Sequence, residues 1–329
     1  MTDVEVTVSG SVVRVPRGRS LLDCAHESGI DIPSSCRNGV CQSCLMKVVE
    51  GSPPAAAQKG LKQAQQQLGL FHACLCYPEQ PFECTVAEDA AFKTTAKVML
   101  LQPLSQDVLQ VRLSVPPEFK FRGGQFVNLV RTDGLLRSYS IASLPNDGAH
   151  IDVHVRRLPD GKMSSWVHDH LSTNDSLEIR GAFGECFYAP ESSEQPLLLV
   201  GTGTGIAPLY AILRDALQED HTGPIYFFQG GRNRDGLYLV DELTSLTEQH
   251  PNLHYTQCLL EDDSTARVRL GDLKDLVLSD ILLYKKARAY LCGAPEMVHL
   301  LRKRLFLGGL SMKNISGDAF ITSASHKAL

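Results

Sequence analysis

The sequence predicts a multidomain chain with α+β and α/β parts, and three observations carry that expectation. Seven of the ten cysteines lie before residue 85, residues 94–187 hold many short strand-like runs with one helical pattern, and apolar runs alternate with helical ones beyond residue 196. At 329 residues the chain has room for two domains or three small ones. Its 43% apolar and 21% charged residues exclude collagenous, fibrous and disordered classes. A formal net charge of −5 supplies no basic field for nucleic acid or anionic membrane surfaces. The opening Met-Thr-Asp-Val-Glu-Val lacks the basic and apolar stretches of a signal peptide, and no run approaches the ~18 apolar residues of a spanning helix. The expectation is a cytoplasmic protein without a membrane span or a nucleic-acid partner.

Val4, Val6, Val8, Val13 and Val15 alternate around Ser9-Gly10-Ser11, the pattern of a β-hairpin. Ser20-Leu-Leu-Asp23 reads as a helix N-cap with an acid in the first turn, and Gly29 as the stop. A cysteine loop follows, then a polar connection from Pro53-Pro54 to Gln67, then a strand at 82–86. Strand-like runs recur at 96–101, 108–115, 126–130, 138–141, 151–156 and 176–180, with a helix at 163–171, the spacing of an antiparallel barrel. A polar linker at 190–196 precedes strands at 197–200, 225–228, 253–259 and 289–291, with helices at 206–217, about 238–249, 271–278 and 295–307 between and after them. That alternation predicts a parallel sheet covered on both faces. The domains expected are 1–90, 93–190 and 195–329.

Cys36, Cys41 and Cys44 are spaced C-x4-C-x2-C, with Cys74 thirty residues on, the plant-type spacing for a 2Fe-2S cluster held by four thiolates. A compact two-iron core needs one tight loop for three ligands and a distant segment for the fourth. Gly39 and the small Ser34, Ser35 and Ser43 let backbone N–H groups approach the sulfurs. Zinc also takes four cysteines, but usually from paired C-x2-C knuckles. A Rieske centre fails because Cys24-Ala-His26 has no histidine-bearing partner pair. Cys76 competes with Cys74 for the fourth position, while Cys24 and Cys84 read as core residues of a small sheet.

Arg137, Ser138, Tyr139 and Ser140 form an Arg-x-Tyr-Ser run, which alone is compatible with a half-exposed strand face. With its context it resembles the signature of the ferredoxin–NAD(P)+ reductase superfamily. The resemblance implies that Arg137 pairs with the FAD pyrophosphate, Tyr139 stacks on the isoalloxazine ring and Ser140 approaches its reacting nitrogen. Gly161, Lys162, Met163 and Ser164 resemble the segment that offers a helix N-terminus to the pyrophosphate. Val155 and Arg156 match flavin-lining positions, and Phe71-His-Ala-Cys74 resembles the apolar run into the fourth cluster ligand.

Gly201, Thr202, Gly203, Thr204 and Gly205 make a glycine-rich turn between a strand and a helix opening Ile-Ala-Pro208. Neither the dinucleotide fingerprint nor a P-loop fits, because Ile206 replaces the third glycine and no Lys-Ser/Thr follows. The turn resembles the superfamily's G-G-T-G-x-A-P, with Thr202 in place of a glycine and slightly less room expected there. Cys292, Gly293, Pro295 and Met297 resemble its C-G-x-P-x-M, which implies Cys292 beside the nicotinamide without a nucleophilic role. Arg232 and Tyr238 fall in the segment resembling the adenosine end, where Arg232 suits a 2′-phosphate, though relatives of this domain order tend to use NADH. Phe320 is read evenly as a flavin cover or as core. His168 and His170 read as surface residues.

The resemblance spans essentially the whole chain, in the order of a β-grasp ferredoxin domain, an antiparallel β-barrel FAD domain and a parallel-sheet NAD(P)-binding domain. That order is found in reductase components of bacterial multicomponent oxygenases. It implies an electron-transfer enzyme carrying hydride from NADH, with NADPH possible, to FAD, then single electrons through 2Fe-2S to a protein such as an oxygenase or hydroxylase component. Two alternatives remain: a donor of the CDP-6-deoxy-glucoseen reductase type, and a nucleotide-binding redox sensor without turnover. Gln42, commonly smaller in relatives, leaves cluster potential and partner docking open.

Overall fold

The computed structural model describes residues 3–34, 36–61, 63–86, 93–261 and 268–320. The chain divides into two compact units: Met1–Thr95 with Val127–Ser138 and Leu177–Gly184, and Ala96–Phe126 with Tyr139–Ser176 and Glu185–Leu329.

In the first unit, β1 (Val4–Val8) and β2 (Ser11–Val15) pair antiparallel across Ser9 and Gly10, both at positive φ, as a two-residue hairpin turn requires. The Ser20 hydroxyl caps α1 (Leu21–Glu27) by accepting the Asp23 N–H. Gly29, at φ 80°, lets Ile30 N–H return to the Ala25 carbonyl and stops the helix. After α1 come β3 (Leu45–Glu50), α2 (Gln63–Gln67), β4 (Leu70–His72) and β5 (Phe82–Val86), in sheet order β2-β1-β5-β3-β4. Leu21, Leu22, Cys24 and Ala25 bury one face of α1 among Val6, Val13, Phe71 and Cys84. The mixed sheet thereby packs across α1.

β6 (Lys93–Pro103), β7 (Val108–Ser114), β8 (Phe126–Val130), β9 (Leu136–Ser140), β10 (His150–Arg156) and β11 (Ser176–Phe183) form one sheet, order β10-β7-β6-β11-β8-β9, with α3 (Lys162–Asp169) the one α-helix among them. An antiparallel bridge from Ile141 to Val153 carries the end of β9 back to β10, so the order returns on itself as a barrel's does.

The remaining strands are β12 (Leu197–Thr202), β13 (Ile225–Gly231), β14 (Leu253–Leu259), β15 (Val268–Leu270), β16 (Arg288–Gly293) and β17 (Ile315–Ala319). They run parallel in the order β15-β14-β13-β12-β16-β17. The helices are α4 (Ile206–Gln218), α5 (Val240–Gln249), α6 (Leu273–Leu278) and α7 (Pro295–Leu307). Leu197 and Leu199 pack with Leu209, Ile212 and Leu243 on one face of β12, while Leu198 and Val200 pack with Val277, Val298 and Leu301 on the other. A strand with two dry faces reads as an unbroken apolar run.

Several elements depart from the expectation. β4 and β15 are three residues long, too short to show a period, and β17 is Ile-Ser-Gly-Asp-Ala, poor in strand formers. β3 starts immediately after the cysteine loop with no turn residue to mark it. The stretch read as a polar connection contains a 3-10 turn at Ala55–Gln58 and α2. α5 begins at Val240 because Leu239 is left-handed, at φ 59°. His168 is not a surface residue: it is half-buried, and its Nε2 donates to the Val155 carbonyl at 3.0 Å, tying α3 to β10. Ser35 and residues 321–329 lie outside the described residues.

Candidate functional site

Left-handed residues curl the cysteine loop between Cys36 and Cys44: Arg37 at φ 54°, Gly39 at 77° and Gln42 at 55°. Arg37 pins it to α1 through Asp23 at 2.9 Å, and a side chain at Gly39 would run into Leu75, beside Cys74. Inside the curl, polar hydrogens point at sulfur. Cys36 N–H donates to Cys41 Sγ at 3.4 Å, Cys41 N–H to Cys36 Sγ at 3.2 Å, Asn38 N–H to Cys36 Sγ at 3.5 Å and the Ser43 hydroxyl to Cys41 Sγ at 3.0 Å. Such donors stabilise thiolates held away from water. Ala73 N–H donates to the Cys44 carbonyl at 3.0 Å, bringing the Cys74 segment to the loop.

The curled loop carries three of the sulfurs, and the Ala73–Cys44 bond brings the fourth beside it. Cys36 and Cys41 hydrogen-bond one another, which pushes the Cys36 thiol up and lets Cys41 fall to about 6, with Ser43 assisting. Cys44 is raised first by its hydrogen bond with Cys74 and then by burial. Among the described residues no set of three or more His, Cys, Asp or Glu side chains stands ready to hold a single ion. Four soft donors, three on one curled loop and one on the adjoining segment, fit what a 2Fe-2S core would need. Cys76 and Cys84 lie in the core of the small sheet with Cys24, and burial pushes both thiols up to about 12.

β9 carries Arg137, Ser138, Tyr139 and Ser140; Tyr139 is half-buried and Ser140 buried. Arg137 Nη1 donates to the Leu136 carbonyl at 2.7 Å. Gly161 opens α3 with no side-chain cap, which leaves the positive end of the helix without an internal acceptor of that kind. The Ser164 hydroxyl is occupied by its own turn, accepting Leu158 N–H at 3.1 Å and donating to the Gly161 carbonyl at 3.2 Å. Lys162 is exposed and Met163 buried. These groups fit a pyrophosphate through backbone amides rather than through the serine. The Val155 side chain is fully buried in the barrel.

At the C-terminal edge of the parallel sheet, Gly201 and Gly205 are demanded by packing. A Cβ on Gly205 would stand 2.2 Å from the Cys292 carbonyl oxygen, and one on Gly201 would stand 2.7 Å from Leu209 Cδ1. Gly203, at φ 56°, and Thr204 lie on the 3-10 turn Gly203–Gly205 that leads into α4. The Thr202 hydroxyl accepts the Ala294 N–H at 3.0 Å, and Gly293, at φ 123°, lets the two loops meet there. Beside this edge lies a cavity of about 370 Å³, lined by Thr202, Gly203, Arg232, Asp272 and Lys274 among others. Lys274 Nζ is 3.3 Å from Asp272 and 3.4 Å from Glu296.

Arg156 lines this cavity; its guanidinium is 3.2 Å from Asp107 and donates to the Gly236 carbonyl. Tyr238 is buried with its hydroxyl 3.2 Å from His154 Nδ1, and Gly236 lines the cavity in its place. Cys292 ends β16 as expected, but its thiol is fully buried 3.6 Å from Cys186 Sγ, and that contact together with burial holds it protonated. Phe320 is half-buried, its N–H donating to the Gly293 carbonyl at 2.8 Å. Sequence reasoning missed Asp272 and Lys274, for which the Leu-Gly-Asp turn before α6 is the available signal. It also missed Asn128, buried in β8, which carries none.

Family models match all three parts of the chain: a 2Fe-2S iron-sulfur cluster binding domain at residues 4–79, an oxidoreductase FAD-binding domain at 95–188 and an oxidoreductase NAD-binding domain at 199–303. The chain is 30% identical to the ferredoxin–NAD(P)+ reductase component of a naphthalene 1,2-dioxygenase system from Pseudomonas putida, over 94% of this chain and 95% of that protein. It is 29% identical to the reductase subunit of an aromatic O-demethylase from an Amycolatopsis strain, over 96% and 98%. Among solved structures it matches a ferredoxin reductase in carbazole 1,9a-dioxygenase with a TM-score of 0.65 and 25% identity, covering 97% of this chain and 98% of the other. The chain belongs to this family of oxidoreductases, the three-domain iron–sulfur flavoproteins that act as ferredoxin–NAD(P)+ reductase components of oxygenase systems.

Proposed function

We propose that this protein draws hydride from NADH and delivers single electrons from its cysteine loop to an electron-accepting protein, an oxygenase or hydroxylase component. The cysteine loop, with polar hydrogens aimed at Cys36 and Cys41 and with Ala73 N–H bringing the Cys74 segment to Cys44, is the observation that carries the reading. When bound, FAD converts a two-electron donor into single electrons and the 2Fe-2S cluster relays them. The chain's own groups bind, orient and exclude water. The turn Gly201–Gly205 and the α4 N-terminus receive the nucleotide pyrophosphate, with Gly293 completing the close approach. Arg137 and the uncapped α3 N-terminus hold the flavin pyrophosphate, Tyr139 stacks on its ring, and Ser140 donates a hydrogen bond at the reacting nitrogen. Cys292 backs the nicotinamide pocket as a buried, neutral thiol packed on Cys186.

The working limits are 1–90 for the cluster domain, 93–190 for the FAD domain and 195–329 for the nucleotide domain; the matched models span 4–79, 95–188 and 199–303. NADH is the expected donor because relatives of this domain order tend to use it; the cavity sets Arg156, Arg232 and Lys274 against Asp272, with Lys274 matched by Asp272 and Glu296. The ten cysteines form no disulfide, which suits the reducing cytoplasm. Cys41→Ser tests the order of carriers. NADH-driven reduction of a two-electron dye should persist while cytochrome c reduction collapses; both falling together with FAD still bound contradicts the order.

A further inference from the structure

β8 reads Phe-Val-Asn-Leu-Val, and its one polar residue, Asn128, is 1% exposed. A carboxamide buried in an apolar strand is unfavourable unless both ends are bonded. Both are. Asn128 Nδ2 donates to the Cys41 carbonyl at 3.1 Å, and the Ser138 hydroxyl donates to Asn128 Oδ1 at 2.7 Å. The first bond reaches 87 residues back along the chain, to the peptide of an expected cluster ligand. The second reaches β9 between Arg137 and Tyr139, the residues assigned to the flavin. That peptide is constrained from its far side as well: Gln42 is left-handed, and its side-chain carbonyl accepts from Gln65 Nε2 at 3.0 Å.

We propose that Asn128 is the positioning residue that couples the cluster loop to the flavin strand, fixing the Cys41 peptide and tuning the cluster that peptide holds. The inference rests on the reading of the preceding section. One electron crosses with no bond made or broken, so its rate depends on how firmly the two ends are held. The amide hydrogen bond also polarises the Cys41–Gln42 peptide beside the cluster, and such second-layer donors favour the more negative, reduced state.

Asn128→Leu, of similar volume, removes both bonds; Asn128→Asp keeps an acceptor for Ser138 but removes the donor to Cys41. In holoprotein with wild-type iron and FAD content, stopped-flow mixing with NADH should show unchanged flavin bleaching and cluster reduction slowed at least tenfold. Redox titration followed by the cluster's EPR signal should move its potential downward, and a tenfold bias of a one-electron equilibrium corresponds to ~59 mV. Ser138→Ala, which retains the donor to Cys41, should give a smaller shift in the same direction. Unchanged rate and potential in iron-replete Asn128 variants overturn the proposal. Loss of iron from both Asn128 variants with wild-type behaviour of Ser138→Ala also overturns it, since the residue would then serve loop assembly alone. If the cluster of the wild-type protein is not reduced by NADH, the functional reading fails instead.

Discussion

The loop at residues 36–44 and the turn at 201–205 both prepare a place for a charged group, and they do so by opposite means. The first uses side chains: four sulfurs, a hydroxyl and a curl of left-handed residues aim soft donors inward. The second uses the absence of side chains, since Gly205 lies so close to Cys292 that no Cβ fits. A site made of side chains tolerates neighbours that adjust but no change of ligand. A site made of bare backbone tolerates no added atom.

The largest expected effect follows from that contrast. Gly205→Val should reduce NADH-dependent turnover at least 100-fold, because its side chain would overlap the Cys292 carbonyl, while iron content and dithionite reduction of the cluster stay at wild-type levels. Retained turnover would break the comparison. Gly39→Ala attacks the other region: a left-handed alanine costs about 1–2 kcal/mol, so iron should be lost to a chelator roughly tenfold faster with NADH-driven flavin reduction unchanged. Thr202→Val removes the acceptor for Ala294 N–H. A hydrogen bond of about 0.5–1.5 kcal/mol should raise the KM for NADH by roughly two- to tenfold with kcat retained. Smallest is Asp272→Asn, which keeps the α6 cap and removes a charge from the cavity; the NADPH-to-NADH ratio of kcat/KM should rise by roughly two- to fivefold, the scale of an exposed charge pair.

The two regions also differ in how far the sequence reveals them. Cysteine spacing is local, so Cys36, Cys41 and Cys44 announce their loop, and Cys74 lies within the expected reach. At the nucleotide edge the glycines are visible, but their partners are not. Thr202 looks like a lapse from a glycine pattern until Ala294, 92 residues away, is placed against its hydroxyl. Tyr238 sits in the right segment, yet its ring packs inward because His154 waits there with a matching polar atom. Asn128 shows the same limit, since its partners lie 87 and 10 residues away on elements that only the fold brings together. Long runs such as Leu197–Val200 were legible as doubly buried strands, whereas β4 and β15 were too short to carry a period.

The central claim is that reducing equivalents enter in pairs at the parallel sheet's edge and leave singly from the cysteine loop. Anaerobic titration of the purified holoprotein with NADH, followed by visible absorption and low-temperature EPR, tests it directly. The account predicts bleaching of both flavin and iron–sulfur bands and growth of a reduced 2Fe-2S signal. Protein without iron or flavin, or a cluster that stays oxidised while the flavin is reduced, contradicts it.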